Sequence, residues 1–377
     1  MPHNRPISRL ATAIPALAMA LATTCIHADS YTQTNLVSDI PGLAANTDPN
    51  LKNPWGVAFS ATSPFWTSDQ VTGVSTLYNA AGVPQALVVT IPGGGPPSGP
   101  TGAVFGNVTG SFLVNGTPAL FIFDTLNGTL AGWNASAGTT AVQTAATPGA
   151  IYTGLAEASN ASGNFLYAAN SAPGGHVNVF NSAWQAATLS GSFTDPTLPA
   201  GLVPFNIQNI GGNLYVTYAS LGPGGTPMPG GVVSEFDANG NFIKRIATGG
   251  ALFAPWGIVV APAGFGAFGN DLLIGNFGNG EILAYDATSD LFLGTVNGLN
   301  GQPLVNDRLW ALETRANVSG FDPNAVYFSA GINNEADGLF GKIDVVPEPA
   351  TIFGTATGIL ALALSRIKRI LPRRSTL

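Results

Sequence analysis

Asn53-Pro-Trp-Gly-Val-Ala-Phe59 and, far downstream, Ala254-Pro-Trp-Gly-Ile-Val-Val260 are two copies of the stretch that decides the fold. Two further short runs follow each copy, 65–69 and 73–79 after the first and 272–276 and 280–286 after the second. Runs this short, rich in β-branched and aromatic residues and separated by Gly, Asn and Asp, are typical of strands joined by tight turns. The sequence therefore predicts a repeated unit of at least three strands.

Weaker copies of the unit fill the rest of the chain. Their first runs begin at Pro100, Tyr152, Pro204 and Leu309. Six units spaced by about fifty residues predict an all-β fold, a six-bladed β-propeller similar to those of NHL and lactonase proteins. Residues 31–40 are predicted to add a strand to the last blade and close the ring. A β-helix or a pair of β-sandwiches is the structural alternative.

The amino-terminal end has the features of an export signal. Arg5 and Arg9 precede the apolar run 10–22, and Ala28 offers a small residue for cleavage by signal peptidase before Asp29. Cys25, the only cysteine, would be removed with residues 1–28. The mature protein is then expected to lack disulfides, thiol catalysis and cysteine metal sites.

The carboxy-terminal end has three consecutive features: Pro347-Glu348-Pro349, an apolar run over 350–364, and a basic end. The basic residues of that end are Arg366, Lys368, Arg369, Arg373 and Arg374. A run of about fifteen apolar residues is short for a helix that crosses a bilayer, which needs roughly twenty. The basic end is expected to stay in the cytoplasm. A soluble amphipathic helix is the alternative, but the run has no polar stripe.

This tail resembles the PEP-CTERM sorting signal of exported bacterial proteins. The resemblance implies a short transmembrane helix that anchors the chain transiently in the inner membrane. It also implies an exosortase that acts at Pro347, Glu348 and Pro349, followed by delivery to the cell surface or the extracellular matrix. The predicted organisation is a signal peptide over 1–28, a propeller over 29–346 and a sorting tail over 347–377.

Four motifs in the body carry a further resemblance: Asn53-Pro-Trp-Gly56, Phe205-Asn-Ile-Gln-Asn209, Ala254-Pro-Trp-Gly257 and Ala330-Gly-Ile-Asn-Asn-Glu-Ala-Asp-Gly-Leu-Phe-Gly341. With the tail, they are similar to those of a family of exported PEP-CTERM proteins with predicted propellers. That family has no established reaction, so the resemblance implies a fold and a location and leaves the activity open.

Charge is distributed unevenly along the chain, whose formal net charge is -7. Seven of the 13 basic residues lie in the two terminal segments, so the body over 29–346 carries six basic against nineteen acidic residues, a net charge near -13. Such a surface repels the phosphates of nucleic acids, so no nucleic-acid partner is expected, and it attracts cations. Solubility of an apolar exported protein is the simpler explanation of the charge.

Oxygen-bearing side chains recur at the ends of the second runs. Aligning the units places Asp69, Asp124, Asn170 and Asn276 at corresponding positions. If these runs face a central channel, the four residues are candidate ligands for Ca²⁺, which takes six to eight oxygen ligands. Metal-dependent lactonases on six-bladed propellers use a site of this kind. The alternative is that each side chain bonds a nearby backbone group at a turn.

Two loops hold further candidates. His176, the only histidine expected to survive processing, is a candidate general base with Glu157 as partner, as in propeller lyases that open cyclic esters. An exposed turn histidine without a catalytic role is the alternative. Asn333, Glu335 and Asp337 form a second possible cation loop, although their spacing is not that of an EF-hand. A solvated turn explains that loop equally well.

Two classes of function remain. The first is a noncatalytic surface or matrix protein that binds polysaccharide or another exported protein, with Trp66, Trp133 and Trp184 predicted to be exposed and to stack on sugar rings. The second is a Ca²⁺-dependent hydrolase or lyase that acts on a lactone or small ester in the channel.

Overall fold

The computed structural model describes residues 29–346, except for residues 94, 96, 97, 107, 316, 317 and 319. The predicted signal peptide with Ala28 and the predicted tail over 347–377 lie outside the described residues. Within them, no helix is long and apolar enough to span a membrane. Strands dominate, as the repeated short runs predict.

The described strands, in chain order, are β1 Tyr31–Ser38, β2 Asn46–Thr47, β3 Pro54–Ala58, β4 Phe65–Asp69, β5 Val74–Tyr78, β6 Val89–Thr90, β7 Pro100–Phe105, β8 Leu113–Val114, β9 Thr117–Pro118, β10 Phe121–Thr125, β11 Thr129–Trp133, β12 Val142–Ala146, β13 Tyr152–Asn160, β14 Gly163–Asn170, β15 Val177–Asn181, β16 Val203–Ile210, β17 Asn213–Ala219, β18 Val232–Phe236, β19 Phe242–Thr248, β20 Pro255–Val260, β21 Leu272–Asn276, β22 Ile282–Tyr285, β23 Phe292–Thr295, β24 Leu309–Thr314, β25 Val326–Ala330 and β26 Leu339–Val345. Short helical turns lie at Ala135–Ala137, Pro223–Gly225, Gly266–Phe268 and Ile332–Glu335.

These strands form six antiparallel blades around one axis. Blade 1 comprises β3 to β6, blade 2 β7 with β10 to β12, blade 3 β13 to β15, blade 4 β16 to β19, blade 5 β20 to β23, and blade 6 β24 to β26 with β1. The first strand of each blade packs against the first strand of the next, and β24 returns to β3. The six-bladed β-propeller predicted from the repeats is confirmed, and the first run of each unit is the innermost strand.

The ring is closed by the amino-terminal strand. β1 pairs antiparallel with β26 from Tyr31 opposite Val345 to Ser38 opposite Leu339. It is the fourth strand of blade 6, with the two-residue β2 paired parallel on its outer side, so that blade is built from both ends of the described chain. The prediction of an extra strand that joins the last blade is confirmed. Each outer edge is short, which is how propellers limit exposed edges.

Apolar side chains fill the space between neighbouring blades. Each of the six blade interfaces carries its own buried cluster. Between blades 1 and 2, for example, Trp66 stacks on Phe121 with ring centroids 4.1 Å apart. Burial of apolar area is the main stabilising contribution in a body without cysteine.

The innermost strands approach one another too closely for a side chain at the position of Gly56. This is the third position of the repeat when counting begins at the proline of Pro-Trp-Gly. A Cβ on Gly56 would lie 2.5 Å from the carbonyl oxygen of Thr101 and 2.7 Å from the nitrogen of Ala103 in the next blade. Gly102, Gly154 and Gly257 are equally crowded by the strand that follows them. Glycine is needed at these positions because the neighbouring backbone occupies the space of a Cβ.

We predict that Gly56→Ala lowers the free energy of unfolding by about 1–3 kcal/mol, since the added methyl group must push two inner strands apart. Gly95→Ala is the matched control, because a Cβ there meets nothing within 4 Å. The control is expected to stay within about 0.5 kcal/mol of the wild type. Urea unfolding of the three proteins measures the difference, and equal stability of Gly56→Ala and wild type would contradict the close approach.

Candidate functional site

The central channel is closed in its middle. Val57, Leu155, Ile258 and Leu312 line the narrow part with the crowded glycines, and the free space there is about 10 Å³, room for about one water molecule. A ligand larger than water therefore has access to the two ends of the channel only. We call them the aromatic mouth and the carboxylate mouth.

The aromatic mouth lies where the inner strands begin. Its floor is formed by Trp55, Phe205, Phe277 and Trp310. Trp55, Phe205 and Trp310 each occupy the second position of a repeat unit. The cavity has a volume of about 320 Å³, at the lower end of the range for small-ligand pockets.

The rings at this mouth pack on one another in stacked and edge-to-face pairs. Trp55 stacks on Trp310 with centroids 3.5 Å apart, and Phe277 stacks on the other side at 4.2 Å from Trp310. Trp256 meets Trp310 edge to face at 5.6 Å and donates its indole N–H to the carbonyl oxygen of Thr153 at 2.8 Å. These contacts fix the rings in place without a ligand.

A strained turn brings one carboxylate to the aromatic rings. Asn333, Asn334 and Glu335 have φ values of 56°, 54° and 70°, a left-handed conformation that costs non-glycine residues energy. The Glu335 side chain lines the same cavity and accepts a hydrogen bond from Asn53 Nδ2 at 3.2 Å. Burial raises the pKa of Glu335, while the Arg308 guanidinium at 3.9 Å acts in the opposite direction.

Asn53 and Trp55 complete the polar groups of this mouth. Asn53 Oδ1 accepts the indole N–H of Trp310 at 2.8 Å, so that donor is satisfied. The indole N–H of Trp55 is buried and has no partner among the described residues. The mouth therefore combines an apolar aromatic floor that is almost fully buried with one carboxylate acceptor, and the unpaired Trp55 N–H is enclosed within the cluster.

The carboxylate mouth lies at the opposite end of the channel and has a volume of about 260 Å³. Glu157, Gln208 and Glu313 line it, and Gln208 Nε2 donates to Glu313 Oε1 at 3.4 Å. Burial raises the pKa of Glu157 to about 7 and that of Glu313 to about 8. Both carboxyl groups can therefore hold a proton near neutral pH.

The four proposed Ca²⁺ ligands lie on second strands, or at their ends, outside the ring of innermost strands. The carboxylate of Asp69 accepts hydrogen bonds from the hydroxyls of Thr67 at 3.0 Å and Thr76 at 2.7 Å. Asp124 Oδ1 accepts from the hydroxyl of Thr101 at 2.7 Å and the backbone N–H of Gly102 at 2.6 Å. The carboxylates thus bind groups of their own blades, the arrangement expected of the turn alternative.

Asn170 and Asn276 make corresponding contacts in blades 3 and 5. Asn170 Oδ1 accepts the backbone N–H of Ile151 at 3.0 Å, and Asn276 Oδ1 accepts that of Phe253 at 3.0 Å. Each amide thus ties the end of a second strand to the loop that precedes the innermost strand of its blade. Among the described residues, no group of three or more His, Cys, Asp or Glu side chains is arranged to hold a metal ion.

The structure does not bring His176 and Glu157 together. His176 is exposed, and its carbonyl oxygen accepts the N–H of Asn170, which pairs with Tyr152. Glu157 lies five residues beyond Tyr152 on the same innermost strand, which corresponds to about 16 Å at the rise of a β-strand. The imidazole ring has Asn178 as its hydrogen-bond contact, at 3.4 Å.

In the loop that contains Asn333, Glu335 and Asp337, the two carboxylates have different partners. Asp337 accepts from Asn333 Nδ2 at 2.8 Å and lies 3.3 Å from Lys52 Nζ. Glu335 faces the aromatic mouth. The lysine and Asn333 lower the pKa of Asp337, since both stabilise its ionised form.

The prediction that Trp66, Trp133 and Trp184 are exposed is wrong. Trp66 and Trp133 are 3% and 7% exposed because they fill the interface between blades 1 and 2. Trp184 is half-buried against Phe112. Trp55 and Trp310, which form the aromatic cluster at the channel, are themselves buried, at 5% and 1% exposed. The repeated Pro-Trp-Gly triplet is the sequence signal of this cluster.

We predict that the protein loses stability as the pH rises from about 5 to 8. Glu313 has a pKa of about 8 in the fold against an ordinary 4.5, so in this window the unfolded chain releases a proton that the folded protein keeps. Glu313→Gln is expected to be about 1–3 kcal/mol more stable than wild type at pH 8 and to differ little from it near pH 4. Denaturant unfolding at both pH values tests this, and a constant difference would contradict it.

The architecture is shared with solved propellers. The PQQ-bound aldose sugar dehydrogenase of Streptomyces coelicolor superposes with a TM-score of 0.51 at 13% identity, over 85% of this chain and 99% of that one. The soluble aldose sugar dehydrogenase of Escherichia coli gives 0.51 at 12% identity, over 84% and 99%. At such identities the likeness shows the fold alone.

No family model matches the sequence. Two proteins of Acanthamoeba polyphaga mimivirus are similar over most of their length. Uncharacterized protein R648 is 32% identical over 82% of this chain and 78% of its own, and uncharacterized protein L690 is 30% identical over 82% and 84%. The chain therefore belongs to the same protein family as R648 and L690 of the mimivirus.

Proposed function

We propose that this protein is an exported β-propeller that binds polysaccharide without catalysing a reaction, and that the aromatic mouth is its binding site. The observation that carries the proposal is the combination of Trp55, Phe277 and Trp310 with the Glu335 carboxylate in one open cavity. The aromatic floor is apolar but exposes little ring area, 5% of Trp55, 2% of Phe277 and 1% of Trp310, so the Glu335 carboxylate, which can accept hydrogen bonds from hydroxyl groups, is the main recognition group.

The dimensions and polar groups of the mouth suit one sugar unit of a longer chain. The cavity of about 320 Å³ is open to solvent on the propeller face, so neighbouring units can extend outward. Glu335 supplies an acceptor for a sugar hydroxyl, directly or through a bridging water. The fixed rings lose little conformational entropy when a ligand binds.

Binding is favoured over Ca²⁺-assisted hydrolysis of a lactone. Most of the oxygens proposed as metal ligands accept hydrogen bonds from backbone and hydroxyl groups of the protein. The exception, Asp124 Oδ2, is buried without a partner but belongs to no group of three or more His, Cys, Asp or Glu side chains among the described residues. A ligand in the middle of the channel would have to fit into about 10 Å³. Both facts support a ligand bound at the mouth on the surface.

Export remains part of the proposal through the signal peptide over 1–28 and the PEP-CTERM-like tail. The two ends of the described body lie together, since the backbone N–H of Val346 donates to the carbonyl oxygen of Ser30 at 2.8 Å. The described residues thus begin and end on the neighbouring strands β1 and β26 of blade 6.

We expect Glu335→Gln to weaken polysaccharide binding about tenfold, because a neutral amide accepts hydrogen bonds from hydroxyl groups less strongly than a carboxylate. Calorimetric titration with neutral and acidic polysaccharides gives the affinity. Quenching of tryptophan fluorescence on binding reports contact with the aromatic mouth.

Glu313→Gln makes the same chemical change at the carboxylate mouth and is the matched control. It is expected to bind as the wild type does. Equal loss of affinity in both variants would place the ligand elsewhere, and failure of the wild type to bind any polysaccharide of its producer would overturn the proposal.

The sorting proposal makes a separate prediction. Replacing Pro347, Glu348 and Pro349 by alanine is expected to keep the protein at its uncleaved mass in the membrane fraction of an exosortase-containing host. Thr355→Ala with Thr357→Ala, in the apolar run, is the control and should be processed normally. Fractionation with intact-mass measurement tests this, and normal release of the triple variant would disprove a role for the motif.

A further inference from the structure

The outer strand of blade 5 exposes large apolar side chains at one place. Leu291, Phe292 and Leu293 are 65%, 50% and 46% exposed, and Leu299 after the same strand is 70% exposed. β23 pairs with β22 on one side, and its other side is the sheet edge. An exposed apolar edge strand favours unwanted association, so a protein normally protects it with charge or with a partner.

This edge lies beside the point where the described chain ends. The ring of Phe268 stacks on Tyr31 and lies 3.7 Å from the position of a Cβ on Gly294, the residue after Leu293. Tyr31 also forms a bridge with Gly298, the residue before Leu299. Because Tyr31 pairs with Val345, the exposed apolar residues flank the place from which the tail departs. We call Leu291, Phe292, Leu293 and Leu299 the apolar rim.

The tail allows little distance between this rim and a membrane. Ala350, where the apolar run begins, follows Val346 by four residues, which span at most about 14 Å when fully extended. The run 350–364 is itself short for a bilayer. A membrane that holds the run must therefore lie within about one strand length of Val346.

We infer that the apolar rim rests in the headgroup region of the bilayer while the tail anchors the chain. Leucine and phenylalanine side chains partition into this interfacial layer. This docking depends on the membrane anchoring in the proposed function. It orients the body with blade 5 toward the lipid.

Most charged groups beside the rim are paired, but Asp286, whose backbone N–H donates to the carbonyl oxygen of Leu291 at 2.9 Å, has no ion pair among the described residues and has to stay on the water side of the headgroups. Asp290, immediately before the rim, is paired with Lys244 at 2.8 Å, so it does not present an uncompensated charge to the membrane. Lys342 and Asp344, near the end of β26, are paired at 3.0 Å. A second copy of the chain is the competing occupant of the edge, but only the bilayer is tied to this place by the departing tail.

The test uses the full chain with Cys25→Ser and single cysteines that carry an environment-sensitive fluorophore, in vesicles of phosphatidylethanolamine and phosphatidylglycerol with brominated acyl chains. Leu293→Cys and Leu299→Cys report on the rim. Val83→Cys, 44% exposed on blade 1, is the matched control. Thr355→Cys reports on insertion of the tail.

Brominated lipid is expected to quench the rim probes about twofold and to leave the Val83 probe unchanged. If the Thr355 probe is quenched but the Leu293 and Leu299 probes are quenched no more than the Val83 probe, the rim proposal is overturned and the anchoring is left intact. An unquenched Thr355 probe would reject the anchoring itself and, with it, the rim proposal. Concentration-dependent shielding of Leu293 without vesicles would assign the edge to a second copy.

Discussion

The rest of the structure depends on backbone contact between neighbouring innermost strands at the third position of the repeat. Glycine occupies this position in four blades, and each would place a Cβ on the next strand. In blade 4 the residue is Asn206, whose side chain instead bridges two blades by donating to the carbonyl oxygen of Trp256 at 2.8 Å. Contact this close fills the centre of the propeller with backbone, so recognition has to occur at its ends.

The same constraint explains the position of the tryptophans. In blades 1, 5 and 6 the residue before this position is a tryptophan, and Trp55, Trp256 and Trp310 lie together in one buried cluster. Asn53 and Ala254, which precede the Pro-Trp pairs, and Arg308 before Leu309 have φ values of 48°, 49° and 53°. Three blades therefore use the same unusual turn to enter the ring, and each delivers one indole to a shared cluster.

The sequence was sufficient for the architecture and insufficient for the site. Six units, their strands and the closing strand follow from short-range patterns of β-branched residues, glycine and turns. The short-range pattern does not indicate which strand of a blade is innermost. Asp69 and Asn276 were candidates for the channel only if the second strands lined it, and the first strands line it instead. Trp66 and Trp55 look alike in sequence, yet one lies between blades and the other at a mouth. Glu335 reaches the rings through a left-handed turn that its sequence does not indicate.

Closure of blade 6 by β1 has a consequence for the order in which the protein folds. β1 and its partner β26 are separated by nearly the whole body, which makes this the pairing with the highest loop-closure cost. A chain that crosses a membrane amino-terminus first exposes β1 long before β26 arrives. Blades 1 to 5 can each form from contiguous sequence in the meantime, whereas the ring stays open until the last strand has emerged. If the chain is exported as proposed, the ring can close only after translocation is complete.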